Sequence, residues 1–153
     1  MSDPPDIVIR RSEPSDAPQV AELFLASFGA RYDFPLAHLP EEVRGWVADD
    51  LLPTTETWVA IGDEGEPVGF LSLRDSYLEQ LYLAPGWTGR GIGSRLVELA
   101  KERRPAGLDL FTFQVNDGAR RFYERHGFAA VWFGDGSENE ERQPDVRYAW
   151  RPG

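Results

Sequence analysis

Apolar residues recur along this chain with two different periods, and the periods predict its elements. Ile7-Val8-Ile9 is a short β-branched run, expected to form a first strand. Val20, Leu23, Phe24, Ser27 and Phe28 then recur at helical spacing. Asp16 stands where a cap belongs, with Pro18 in the first turn and Gln19 three residues on, as in a capping box. This helix is expected to end near Gly29. Tyr32 to Pro40 reads as a loop with two prolines. A shorter helical face follows from Glu41, with Val43, Trp46, Val47 and Leu51. Trp58 to Ile61 and Val68 to Leu73 read as two strands, joined by the turn-rich segment Gly62 to Glu66 as a hairpin.

Tyr77 to Leu83 reads as another strand. After it comes a glycine-rich loop from Ala84 to Gly93, and then a helix with Leu96, Val97, Leu99 and Ala100 on its periodic positions. Pro105 stops that helix. Leu108 to Val115 is mostly apolar, the pattern of a strand buried on both faces. Asp117 to His126 is helical, with Gly127 suited to a left-handed position after its end. Phe128 to Phe133 and Val146 to Trp150 are the last strands. The order β, α, α, β, β, β, α, β, α, β, β places two strand-helix-strand passages inside an antiparallel chain. That predicts an α/β (α+β) domain: a mixed, mostly antiparallel sheet with helices on its faces.

Composition narrows the class. The chain has 153 residues, 41% of them hydrophobic, with five Trp and nine Phe. That is enough for one real core in one domain spanning 1–153, with residues 1–5 expected to be flexible. The absence of Cys removes disulfides, thiolate metal sites and a Cys nucleophile. Met1 to Asp6 is polar, Pro-rich and acidic, unlike a signal peptide. No apolar run approaches the roughly 18 residues of a spanning helix. The expectation is a soluble cytoplasmic protein with no membrane partner.

The formal net charge is −10, which argues against a nucleic-acid partner. An acidic surface suits a cationic substrate through its summed field, or it serves solubility alone. The connection Gly134 to Asp145 concentrates the acidity: Asp135, Glu138, Glu140, Glu141 and Asp145 stand against Arg142. These carboxylates lack the spacing and glycine of a calcium loop, so no metal is expected.

The strongest chemical signal is Gly89-Arg90-Gly91-Ile92-Gly93-Ser94, between a strand and a helix. Backbone N–H groups converge at such a junction, and the helix dipole adds partial positive charge. Glycines let an anion approach without meeting Cβ atoms. A Walker loop fails, because Gly91 is followed by Ile92 and no Lys-Ser/Thr ends the segment. A dinucleotide fingerprint fails on spacing, because the third glycine comes one residue early and the loop lies mid-chain. A chain-reversing turn with no ligand is the bland alternative.

The segment resembles the pyrophosphate loop of GNAT (GCN5-related N-acetyltransferase) acyltransferases, Gln/Arg-x-x-Gly-x-Gly/Ala, aligned here as Thr88 to Gly93, with Thr88 departing from the pattern. Asn116, then Ala119 to Phe128 with its Phe122-Tyr123 pair and Gly127-Phe128, resembles the second motif of that family. Leu81 to Pro85 is similar to its strand before the loop. The likeness is close from about Trp58 to Phe133.

What the resemblance implies is a sheet splayed in its middle, between Tyr77–Leu83 and Leu108–Val115, by a bulge in the first of these strands. Acetyl-CoA would lie in the opening, against Leu81, Tyr82 and Leu83. Its pyrophosphate would rest on Gly89, Arg90, Gly91, Ile92, Gly93 and Ser94. Asn116, Arg120 and Phe122 would line the other side. The implied reaction is acetyl transfer to a primary amine, of a small molecule or a peptide, with a cationic acceptor among the candidates, by direct attack in a ternary complex. A homodimer is left open as an assembly. A CoA-binding regulatory module without turnover is the alternative.

The resemblance makes Tyr123 the candidate acid, a role that a phenol protonated at neutral pH can fill; by periodicity alone it reads as a core tyrosine packed on Phe122. Glu79 is the candidate base, directly or through water; the alternative is a solvent-facing strand residue. Strand alternation places Glu79 and Tyr82 on opposite faces. Of the two histidines, His126 reads as structural, and His38 lies in a loop where the family gathers acceptor contacts.

Overall fold

The computed structural model describes residues 7–152, so the expectation for residues 1–5 falls outside the described residues. Antiparallel pairing builds the first half of the sheet. β1 (Val8–Arg11) pairs with β2 (Glu56–Ile61), β2 with β3 (Pro67–Arg74), and β3 with β4 (Tyr77–Leu83). The β2–β3 hairpin closes as expected: the Gly65 N–H donates to the Gly62 carbonyl at 3.0 Å with Gly65 at φ +82°. β5 (Leu108–Phe113), β6 (Ala129–Gly134) and β7 (Asp145–Trp150) form the second half. The sheet order is β1-β2-β3-β4-β5-β7-β6. All pairings are antiparallel except β4–β5.

Among the described residues, four helices of seven residues or more cover it: α1 (Ala17–Arg31), α2 (Pro40–Trp46), α3 (Ile92–Arg103) and α4 (Asp117–Arg125). Val20, Phe24 and Phe28 of α1 pack with Val59 and Phe70 on one face. Leu96 and Val97 of α3 pack with Leu71, Leu108 and Leu110 on the other. Leu96, Val97, Leu71 and Leu108 are fully buried, and burial of such a side chain contributes about 1.5–3 kcal/mol. This is the mixed, mostly antiparallel α/β sheet that the order of elements predicted.

Four local expectations fail for identifiable reasons. α1 runs past Gly29 to Arg31, and its end comes only where Tyr32 turns extended (φ −120°, ψ 145°). Asp16 does not cap α1. Its carboxylate accepts instead from the Glu13 N–H (2.7 Å) and from Arg10 (2.9 and 3.0 Å), closing the short 3₁₀ turn Pro14–Asp16. The second helical face is not one regular helix, because α2 passes into a π-turn at Val47–Leu51 that buries both of those residues. β5 is buried only through Leu110; Phe111 is 50% exposed and Val115 lies beyond the strand.

Candidate active site

Parallel β4 and β5 touch as strands at one residue pair, Tyr77 opposite Asp109. Beyond it they diverge, and the sheet opens into a V. The cause is local. Ser72 pairs with Gln80 but Leu73 pairs with Leu78, so Glu79 is an extra residue in β4, and a bulge of this kind bends its strand.

The register also fixes where the β4 backbone points. The Ala84 N–H donates to the Val68 carbonyl at 2.8 Å. In an antiparallel ladder hydrogen-bonded pairs alternate, so Tyr82 with Phe70 and Gln80 with Ser72 are also bonded to β3. The N–H and C=O groups of Leu81 and Leu83 therefore face the opening, with no strand to receive them. Their side chains join the core beneath α3.

The glycine loop follows β4 directly and caps α3, outside the residues that line the cavity between the strands. Gly86, Gly89 and Gly91 take positive φ of 88°, 73° and 83°. Gly91 is the N-cap of α3, so the N–H groups of the helix's first turn have no intrahelical acceptor. A Cβ on Gly93 would stand 3.3 Å from the Phe122 ring, so α3 and α4 meet closely there. Arg90 stacks over Trp87 at 4.9 Å. Ser94 Oγ and His126 Nε2 are 3.0 Å apart, and the Lys101 ammonium donates to the His126 carbonyl at 2.6 Å. His126 thus ties α4 to α3, as a structural residue would.

Asn116 caps α4: its Oδ1 accepts from the Ala119 N–H at 3.0 Å, and its Nδ2 donates to the Tyr32 hydroxyl at 2.8 Å. Tyr123 lies two turns further on. It is 7% exposed and packs against Phe122, Phe128 and Tyr148. It also lines the cavity, together with Tyr32, Leu81, Tyr82 and Asn116. Burial raises the Tyr123 phenol above its ordinary range, so it stays protonated across the physiological interval. Tyr82 and Tyr32 are raised for the same reason.

Three anticipated site residues occupy other surroundings. Tyr82 packs between Phe24 and Phe70 on the α1 side of the sheet. Arg120 turns from the glycine loop to the Tyr148 hydroxyl (3.1 Å) and the Phe133 ring. Glu79 and Tyr82 do not fall on opposite sides as strand alternation suggested. The bulge breaks the alternation, and both line one cavity. Glu79 is partly exposed and paired with Arg74 at 3.1 Å.

The cavity is about 1450 Å³. On the α1 side its wall holds Tyr32, which sequence reasoning missed. Tyr32 belongs to no motif, and 84 residues separate it from its partner Asn116. The mouth is acidic. His38 pairs with Glu140, and the Ala37 N–H donates to Glu141 at 3.1 Å. The loop after α1 is thereby joined to the β6–β7 connection. The Glu140 carboxylate raises the His38 pKa above its ordinary value.

A splayed sheet, a glycine-capped helix start after its fourth strand and a capped tyrosine helix define an acyl-transferring class of protein. Residues 17–128 match the model of the Acetyltransferase (GNAT) family, and the chain belongs to that family and is an acetyltransferase. It is 35% identical over 122 residues to peptidyl-lysine N-acetyltransferase YjaB of Salmonella typhimurium, covering 80% of this chain and 83% of that protein. The solution structure of apo-form YjaB from Escherichia coli has a TM-score of 0.77 at 28% identity, covering 94% of this chain and 97% of that one. The crystal structure of the PaiA N-acetyltransferase of Thermoplasma acidophilum, in complex with coenzyme A, shares the fold. Its TM-score is 0.70 at 20% identity, over 99% of this chain and 100% of that one.

Proposed function

We propose that the protein transfers an acetyl group from acetyl-CoA to the ε-amine of a peptidyl lysine, by direct attack in a ternary complex. The observation that carries this reading is the unpaired backbone of Leu81 and Leu83, on the strand that runs into the glycine loop. A pantetheine arm carries amides of the right kind to act as the missing strand. The pyrophosphate fits the free N–H groups from Gly91 to Ser94, and the positive-φ glycines keep Cβ atoms clear of it. Acetyl-CoA supplies the activated thioester carbonyl.

The remaining chemistry falls to the chain. A backbone N–H near Leu81 donates to the carbonyl oxygen as charge builds there. Asn116 fixes the start of α4 and so the position of Tyr123. The C–N bond forms as the C–S bond breaks. One proton leaves the amine, through water, toward Glu79. Tyr123 donates a hydrogen bond to the departing sulfur. Its raised pKa makes it a donor at every physiological pH and a reluctant source of a complete proton, so the thiolate is stabilised first and protonated afterwards.

The lysine assignment is supported by the acidic mouth at Glu42, Glu138, Glu140 and Glu141 and by the peptidyl-lysine activity named for the YjaB relative. The test is free-thiol release with acetyl-CoA and a panel of lysine peptides and small amines. Turnover with lysine peptides above every small amine is expected. CoA binding without thiol release from any acceptor would instead leave a binding module.

A further inference from the structure

The turn from β5 into α4 aims Tyr123, and one side chain from outside that turn holds both of its ends. The Asn116 N–H donates to the Phe113 carbonyl at 3.0 Å, which closes the turn. The Tyr32 ring packs edge-on against Phe113, with ring centres 5.2 Å apart. Its hydroxyl accepts from Asn116 Nδ2 at 2.8 Å. Tyr32 is itself braced, by Phe28 at 4.8 Å and Phe34 at 4.9 Å. It is the first extended residue after α1 and so belongs to the acceptor wall.

The cap of α4 fixes the direction of the Asn116–Tyr32 bond. Asn116 Oδ1 accepts from the Ala119 N–H at 3.0 Å, so the amide cannot turn over without losing that bond. Nδ2 is then a donor only, and the Tyr32 oxygen is its acceptor. Without that oxygen, Nδ2 loses its partner at a part-buried site, and turning the amide toward water costs the cap. α4 depends on the cap. It has nine residues, fewer than the roughly 12 at which an isolated helix begins to hold itself together.

The hydroxyls of Tyr32 and Tyr148 are each held by hydrogen bonds. The Tyr123 hydroxyl is held by none among the described residues. Its ring is packed, but the place of its oxygen follows from how α4 starts and lies. Asn116 stands about 10 Å before it along the helix axis, so a small rotation at the cap is carried to the oxygen.

We infer that Tyr32 is a positioning residue for acetyl transfer: from the acceptor wall it holds Asn116 in its capping orientation and so fixes the place of the Tyr123 hydroxyl. The inference rests on the role given to Tyr123 above. One residue of the acceptor side then serves the donor-side chemistry without touching the reacting atoms.

The experiment is a double-mutant cycle of Tyr32→Phe and Tyr123→Phe, with acetyl-CoA and an amine that the thiol-release assay shows to turn over. Tyr32→Phe keeps the ring among Phe28, Phe34 and Phe113 and removes only the oxygen. Its kcat is expected to fall about fivefold, the effect of one hydrogen bond, while calorimetry gives an acetyl-CoA affinity within about twofold of wild type. In the Tyr123→Phe background the same change should leave kcat unaltered, because the group being positioned is gone. Amide exchange at Ala119 reads the cap without turnover and should be about fivefold faster in Tyr32→Phe. Wild-type kcat in Tyr32→Phe overturns the inference, as does unchanged exchange at Ala119. An equal loss of kcat in both backgrounds also overturns it, since Tyr32 would then act on the acceptor directly. So does a parallel loss of acetyl-CoA affinity, the mark of general damage to the fold. If Tyr123→Phe itself keeps wild-type kcat, the role of Tyr123 fails and the inference falls with it, whatever Tyr32→Phe does.

Discussion

Two sides of one opening are put together here by different means. The side expected to receive the donor is backbone: free N–H groups after Gly91, the outward-facing groups of Leu81 and Leu83, and an Asn cap at the start of α4. Each part comes from a few consecutive residues. The side expected to receive the acceptor is side chain, drawn from remote segments. Tyr32 meets Asn116 across 84 positions, His38 meets Glu140 across 102, and Ala37 meets Glu141 across 104. A backbone cradle constrains sequence through glycine and helix-start chemistry, so it leaves a motif. A side-chain wall can be assembled from many residue types, so it leaves none. The first side can stay fixed while the second varies with the acceptor.

Breaking the backbone side should have the largest effect. Gly91 sits at φ +83°, a conformation that a β-branched residue adopts only under strain. Gly91→Val should distort the cap of α3 and abolish CoA binding in calorimetry at millimolar ligand. An affinity within about tenfold of wild type would remove the loop from the donor site.

Tyr123→Phe probes the point where the two sides meet. It keeps the ring and its packing and loses the donor. A fall in kcat of about a hundredfold is expected, at nearly constant acetyl-CoA KM. Because burial raises the Tyr123 pKa, activity should climb from acid to neutral pH and show no decline between pH ~8 and ~10 (a range in which an ordinary phenol begins to ionise). Retention of more than about half of wild-type kcat would take Tyr123 out of the mechanism.

The acidic mouth should matter less and only on its own side. Glu138, Glu140 and Glu141 all changed to Gln should raise the KM of a basic peptide by roughly threefold to tenfold, since exposed charges act weakly and in a screened way. The acetyl-CoA KM should stay the same. Parallel changes in both constants would show that the two sides are not separable.

The smallest effect concerns His38. Its pKa is raised above the ordinary ~6.5 by Glu140. The pairing therefore favours the joined loops below that ordinary value and fades as pH rises through the raised one. NMR titration should give a His38 pKa above 6.5 that returns toward 6.5 in Glu140→Gln, with acceptor KM changing less than about twofold. A His38 pKa that ignores Glu140→Gln would mean that the loops are not joined by this pair in solution.

The elements that local chemistry dictates are legible in the sequence. Tyr77–Leu83 was legible to the residue, because an apolar strand runs straight into Ala84-Pro85-Gly86. Gly127 was legible as a left-handed stop, and φ is +88° there. The end of α1 was not legible, since Gly29 tolerates helix and the real stop depends on Tyr32 packing against Phe28 and Phe113. The sidedness of Glu79 was lost because alternation assumes an unbroken ladder, and one inserted residue reverses it.

The lone strand contact between Tyr77 and Asp109, reinforced by the Asp109 N–H on the Ser76 carbonyl at 2.9 Å, has a consequence for how the molecule comes apart. Cooperative units follow contiguous hydrogen-bonded structure. β1 to β4 close one such network and β5 to β7 another, with a single rung between them. In amide-exchange terms the Leu81 and Leu83 protons are unprotected although they belong to a strand, whereas their neighbours Gln80 and Tyr82 are held by β3. A guest bonded along β4 supplies the missing rungs, adding backbone bonds to a junction that otherwise rests on the core shared by Leu71, Leu96 and Leu108.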